Sequence, residues 1–258
     1  MRILMWAAVA VVLATGALAA AAPDQKQFID ANTALRTALA NGKLAPSLAD
    51  PLSAPRVKAA LDERVLTSVK VNDVGTFMAI CNQVRITSKY YMFHGLGVAD
   101  PSEMSLESLG PQHANAVAAN LQRYQDEIEL SLKFQVDCFS AALPGVIKFL
   151  KSIPPEQLNA TRRSGIAQMK LGMVQFLEGA VVTQTDQLKE SNKQIALDTV
   201  LGHLGILVPN TNLADRPAIA AVIDRTLQSP TISKASRAKL LTMRKAMDSK
   251  DCAALCRL

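Results

Sequence analysis

The sequence predicts an all-α fold: an irregular helical bundle of about eight helices built on a long central αα-hairpin, after a cleaved signal peptide. Three observations predict it. Apolar residues recur at i, i+3 and i+4 spacing through most of the 258 residues. No segment keeps a period-2 alternation, and no Asn-Gly pair joins two β-branched runs. Helix-start and helix-stop residues, chiefly Asp, Ser, Pro and Gly, fall between the periodic stretches.

Residues 1–22 read as a signal peptide. One charge at Arg2 precedes an apolar run from Ile3 to Ala14, and small residues from Gly16 to Ala22 supply an Ala-x-Ala cleavage site. The apolar run falls short of the ~20 residues of a membrane span. Cleavage would remove Trp6, the sole tryptophan, and Arg2, lowering the formal charge from +6 by one. Residues 23–258 are expected to form a single all-helical domain, with room for a sub-boundary at the 96–110 loop. The Ala-rich leader looks bacterial, and export places the mature chain in the periplasm or outside the cell.

The helices follow in order. The first runs from about Asp24 to Ala40 with Phe28, Leu35 and Leu39 inward, and ends at Asn41-Gly42. Pro55 opens the second, to about Ser68. Asp73 caps the third, in which Val74, Phe77, Met78, Cys81 and Val84 form one apolar face before it stops near Gly95. Residues 98–110 read as loop. The fourth starts at Pro111 and reaches about Leu143, where Pro144-Gly145 predicts a kink or break. The fifth runs from about Pro154 to Gln187, and these two long elements are the expected hairpin. The sixth spans about Ser191 to Leu204, and Leu207 to Ala214 reads as loop. Asp215 and Ser233 are expected to cap the seventh and eighth helices, the last ending near Met247.

Four cysteines in an exported chain point to disulfides, and four allow three pairings. Cys81 lies on the apolar face of the third helix and Cys138 flanks that of the fourth. The expected pairs are therefore Cys81–Cys138 and Cys252–Cys256. In a regular helix, residues four apart hold their Cβ atoms about 5–6 Å apart, whereas a disulfide wants about 3.5–4.5 Å. A Cys252–Cys256 bond thus requires an irregular tail. The alternatives tie the tail to Cys81 or Cys138, or leave Cys252 and Cys256 as two soft metal ligands.

Composition and motifs narrow the function. A pI near 9.2 suits anionic partners such as envelope polymers or lipid headgroups. Aromatic content of 4% argues against a stacking platform for nucleic acid. No nucleophile elbow, His-Glu-x-x-His, Walker loop, haem-attachment motif or Glu-x-x-His pair occurs, so no motif calls for a cofactor or metal. His94, His113 and His203 lie on separate elements. Asn159-Ala160-Thr161 matches a glycosylation acceptor, discounted for a bacterial chain. Asp126, Glu127 and Glu129, with Lys133 beyond them, read as surface i, i+4 pairing.

The fifth helix stands apart. Gly165, Gly172 and Gly179 recur every seven residues beside a face of Ile166, Met169, Met173, Phe176, Leu177 and Ala180. Each glycine costs roughly 1 kcal/mol against alanine within a helix, which predicts close approach of a neighbouring helix, with Gln168 and Gln175 bonding across. The alternative is a narrow ligand groove formed by Glu178, Gly172, Gln175, Met169 and Met173. The expected function is an exported, non-catalytic helical envelope protein that binds or scaffolds another macromolecule, either an anionic envelope component or a protein. The alternatives are an exported hydrolase whose acids assemble in three dimensions and a carrier of a small apolar ligand.

Overall fold

The computed structural model describes residues 23–42, 44–104 and 111–257. The leader assigned to residues 1–22 lies outside them. The described residues contain helices and no strand. In chain order they are α1 (Pro23–Asn41), α2 (Ala54–Ala60), α3 (Val65–Ser68), α4 (Val74–Met92), α5 (Pro111–Arg123), α6 (Gln125–Lys151), α7 (Ala160–Val182), α8 (Glu190–Gly202), α9 (Leu204–Asn210), α10 (Arg216–Leu227), α11 (Lys234–Met247) and α12 (Ala254–Arg257). None of them is long and apolar enough to cross a membrane. They fall into two compact units whose division lies inside α6, at residues 142–143.

Several helix starts follow the side-chain chemistry expected of them. The Asp73 carboxylate accepts from the Thr76 N–H at the start of α4, and the Ser233 hydroxyl accepts from the Ser236 N–H at the start of α11. Asn159 caps α7 by accepting from the Arg162 N–H. Asp215 precedes α10 without a capping bond from its own side chain; its carboxylate instead accepts from Asn212.

Four boundaries differ from expectation. The fifth helix is shorter at both ends, running from Ala160 to Val182 as α7. The second helix divides into α2 and α3. The fourth divides at Tyr124 and then runs straight through Pro144. Pro144 removes one intrahelical bond, but Leu143, Val146 and Leu150 are buried on either side of it, so packing outweighs the break. The expected loop from Leu207 begins instead as α9, which contains Pro209 and buries Leu207 and Val208.

Within residues 23–142, α1 packs against α2, α3 and α4, and α4 against α5. One core cluster gathers Phe28, Phe77, Ile80, Val84, Phe134 and Cys138, with the Phe28 and Phe134 rings stacked at 5.3 Å. A second gathers Leu35, Leu39, Val57, Tyr91, Tyr124 and Ile128. Buried Asn32 joins three helices: its amide donates to the Phe28 and Ala60 carbonyls, and its oxygen accepts from the Thr87 hydroxyl. Cys81 and Cys138 are bonded, with Cα atoms 5.8 Å apart.

Within residues 143–257, α7 packs against α10 and α8, and α11 packs against α10 and α8. The chain end is tied down by Arg216, which is 2% exposed. Its guanidinium donates to the carbonyls of Ser249 and Asp251, each at 2.5 Å, and to that of Thr211 at 3.1 Å. Ala253 N–H donates to the Pro209 carbonyl, Leu255 N–H donates to Asn210, and the Leu255 side chain is fully buried. Cys252 and Cys256 are bonded, with Cys252 in irregular chain just before α12. Both cysteine pairs expected from the sequence thus lie at disulfide distance, and the tail has the irregular form that the local pair requires.

Truncating Arg216 leaves the buried Thr211 carbonyl and the part-buried carbonyls of Ser249 and Asp251 short of a donor. Arg216→Met is expected to lower the unfolding free energy by about 2–4 kcal/mol. It should also raise proteolytic cleavage around residues 249–257. An unchanged denaturation midpoint with unchanged cleavage would show that the tail is held by Leu255 and the backbone bonds alone.

Candidate functional site

The groove expected on α7 is made of residues the structure places in two settings. Met169, Gly172, Met173, Phe176, Leu177, Gly179 and Ala180 are buried. They belong to the packed side of the helix, which faces α8 and α10. Gln168 and Gln175 are half-buried and form no hydrogen bond among the described residues, so the bonding expected across the helix is not made.

Glu178 lies at the margin of this face, half-exposed, where α7 meets α10. Burial pushes its carboxyl above the ordinary carboxylate range, Arg225 of α10 opposes that shift, and Asp215 adds to it. Glu178 thus feels an opposing cation, Arg225, and a second acid, Asp215, at the α7–α10 seam. Gly172 is buried on α7. On the close-packing reading a leucine there overfills the contact, so Gly172→Leu is expected to cost about 1–3 kcal/mol. A melting temperature within a degree or two of the parent would rule out the close-packing reading.

The acids on α6 are not the surface pairs expected of them. Lys133 pairs with Glu63 of the α2–α3 connection, at 2.5 Å, and with Asp137, at 2.7 Å. Glu127 is buried, and its carboxylate accepts from the Leu48 N–H at 2.6 Å and from the Ser47 hydroxyl at 3.0 Å. It thereby holds the 44–53 loop against the helix. Glu129 is 4% exposed and accepts no hydrogen bond or ion pair among the described residues. Burial alone pushes its carboxyl up to about 8. Ser140, eleven residues on and so on the same side of α6, is also buried, and its hydroxyl lacks a partner. Sequence reasoning missed this face because α6 is apolar on more than one side. An acid beside such faces is largely buried, yet in the linear pattern it looks like any surface glutamate.

The histidines remain apart. The His94 Nδ1 lies 3.0 Å from the Leu39 carbonyl, and the ring meets Tyr124 edge-on. His113 lies on α5, and His203 stands between α8 and α9. No group of three or more His, Cys, Asp or Glu side chains among the described residues is placed to hold a metal ion. Comparison with family models, with curated proteins and with solved structures finds no match to this chain.

Proposed function

We propose that the chain is an exported helical protein of the cell envelope that binds an anionic macromolecule, acting as a binding or scaffolding component rather than as a catalyst. The observation that carries this reading is the segregation of charge. Residues 143–258 hold 16 Lys and Arg against nine Asp and Glu, a net +7. Residues 14–142 hold 11 against 13, a net −2. A basic balance confined to one compact unit gives that unit a field that concentrates anions at its surface. The leader-like residues 1–22 support export. The packed state of Met169 and Met173 favours a core role for α7 over the carrier alternative.

Two measurements test the proposal. Binding of the purified protein to acidic envelope lipids and polysaccharides should weaken steeply as salt rises, since exposed charges are screened within about 10 Å at 0.1 M. Binding that ignores salt, or none to any acidic component, overturns the reading. Protein recovered from its native host should begin near residues 20–23 and weigh about 2 kDa less than the full chain, as removal of a signal requires. An intact Met1 on exported protein refutes cleavage.

The hydrolase alternative draws on Glu178 and Asp215 at the α7–α10 seam. It predicts that Glu178→Gln abolishes a hydrolytic activity while leaving salt-sensitive binding untouched.

A further inference from the structure

The basic excess of residues 143–258 has a definite outlet on α11. Its 14 residues carry five cations and no acid: Lys234, Arg237, Lys239, Arg244 and Lys245. The helix turns Ser236, Leu240, Met243 and Met247 inward. Two of the five cations are neutralised by acids nearby: Lys239 pairs with Asp198 at 2.6 Å, and Arg244 pairs with Asp224 and Asp248. The other three meet no carboxylate among the described residues. Lys234 and Lys245 are exposed, and Arg237, also exposed, donates only to the Leu227 carbonyl. Lys234, Arg237, Leu241 and Lys245 follow one another at spacings of three and four, so they share the outward side of the helix. Leu241, in the middle of the row, is 55% exposed.

Two features mark this row as more than a solvated face. Lys234 stands in the first turn of α11, which has no acid of its own, where the positive end of the helix dipole opposes a cation; the nearby Glu190 of α8 is engaged by the Ser233 hydroxyl at the cap. A residue that works against its local position points to a use elsewhere. Moreover, a row kept for solubility alone does not need a bare leucine at its centre. Flanking cations around a protruding apolar side chain match a surface that is anionic outside and apolar just beneath, with the lysine stems lying along it and their ammonium groups at the charged layer.

We infer that the outward face of α11 is a docking surface for an anionic phospholipid bilayer, which Lys234, Arg237 and Lys245 hold by charge while Leu241 enters the interface. The inference rests on the binding reading above and narrows it to one partner.

The test is co-sedimentation of the whole protein with vesicles of equal parts phosphatidylglycerol and phosphatidylcholine, against vesicles of phosphatidylcholine alone. Binding is expected for the anionic vesicles only, and it should be lost at 0.5 M salt. Each basic side chain near an anionic surface contributes roughly a fivefold increase in partitioning. The triple variant Lys234→Ala/Arg237→Ala/Lys245→Ala should therefore bind on the order of 100-fold more weakly. Arg56→Ala/Lys58→Ala/Lys70→Ala removes the same charge from exposed positions of the other unit and should bind like the parent. Leu241→Trp places an indole in the row, and its added emission should shift to shorter wavelength with anionic vesicles. Equal loss in both triple variants overturns the inference in favour of net charge. An unshifted Leu241→Trp emission overturns insertion. Retention on heparin or DNA through the same three cations, with no vesicle binding, overturns the lipid assignment but leaves the wider binding reading standing.

Discussion

Replacing Cys81 and Cys138 together by alanine is expected to lower the unfolding free energy by about 4 kcal/mol. The two residues are 57 apart in sequence, so their bond removes a large share of the freedom of the unfolded chain. Cys252 and Cys256 are only four apart, and the same chain-entropy relation gives the corresponding double replacement about 2 kcal/mol. Packing acts in the same direction. Cys138 is fully buried among Phe77, Ile80, Val84 and Phe134, so a smaller side chain there also forfeits contacts. Urea denaturation of the two double variants, without reductant, reads both values. A loss below about 1 kcal/mol at Cys81 and Cys138, or a larger loss at the tail pair, would show that the α4–α6 contact is held by its apolar residues and not by the crosslink.

How much of this was legible in the sequence depends on the range of the interaction. Asp73 and Ser233 announce their helices because a cap is a bond between residues three apart, and nothing distant competes with it. The pairing of Cys81 with Cys138 was legible because each lies beside the apolar stripe of its own helix. Pro144 misled because its local effect was opposed by burial of Leu143, Val146 and Leu150, which the chain shows only once folded. Arg216 was invisible for a similar reason. Its partners are main-chain carbonyls, at Thr211 close by and at Ser249 and Asp251 more than 30 residues away, and carbonyls carry no sequence signature.

The candidate sites divide along the same line. Glu178 reads in the sequence as part of a possible groove on its own helix, and the structure adds Arg225 and Asp215 from elsewhere in the chain. The outward row of α11 lies in a basic stretch of the sequence, Lys234 to Lys245. Its meaning depends on which cations are already paired, and that is decided by Asp198 and Asp224 on neighbouring helices. A charge pattern read along one chain counts cations; only the fold separates the paired from the bare.

Glu129 supplies the strongest pH dependence expected of this protein. Its carboxyl is buried without a partner, and the folded state holds its proton up to about pH 8. In the unfolded chain the same group titrates near 4.3. Below that pH, both states are protonated and the group costs nothing. As pH rises from about 4.5 to 8, the unfolded chain gains a solvated charge that the folded protein does not take up, and stability falls by about 1.4 kcal/mol per pH unit. Above pH 8 both states are ionised, and the accumulated difference, at most about 5 kcal/mol, stays constant. Glu129→Gln keeps the shape of the side chain and removes the proton equilibrium. The variant is therefore expected to match the parent near pH 4.5 and to exceed it by several kcal/mol at pH 8. Urea midpoints across that range measure the gap directly. Comparing each pH with the same pH cancels Glu178 and Asp186, whose carboxyls burial also raises. Parallel profiles for parent and variant would mean that the Glu129 carboxylate reaches solvent, and a less stable variant at pH 8 would mean that it holds a cationic partner.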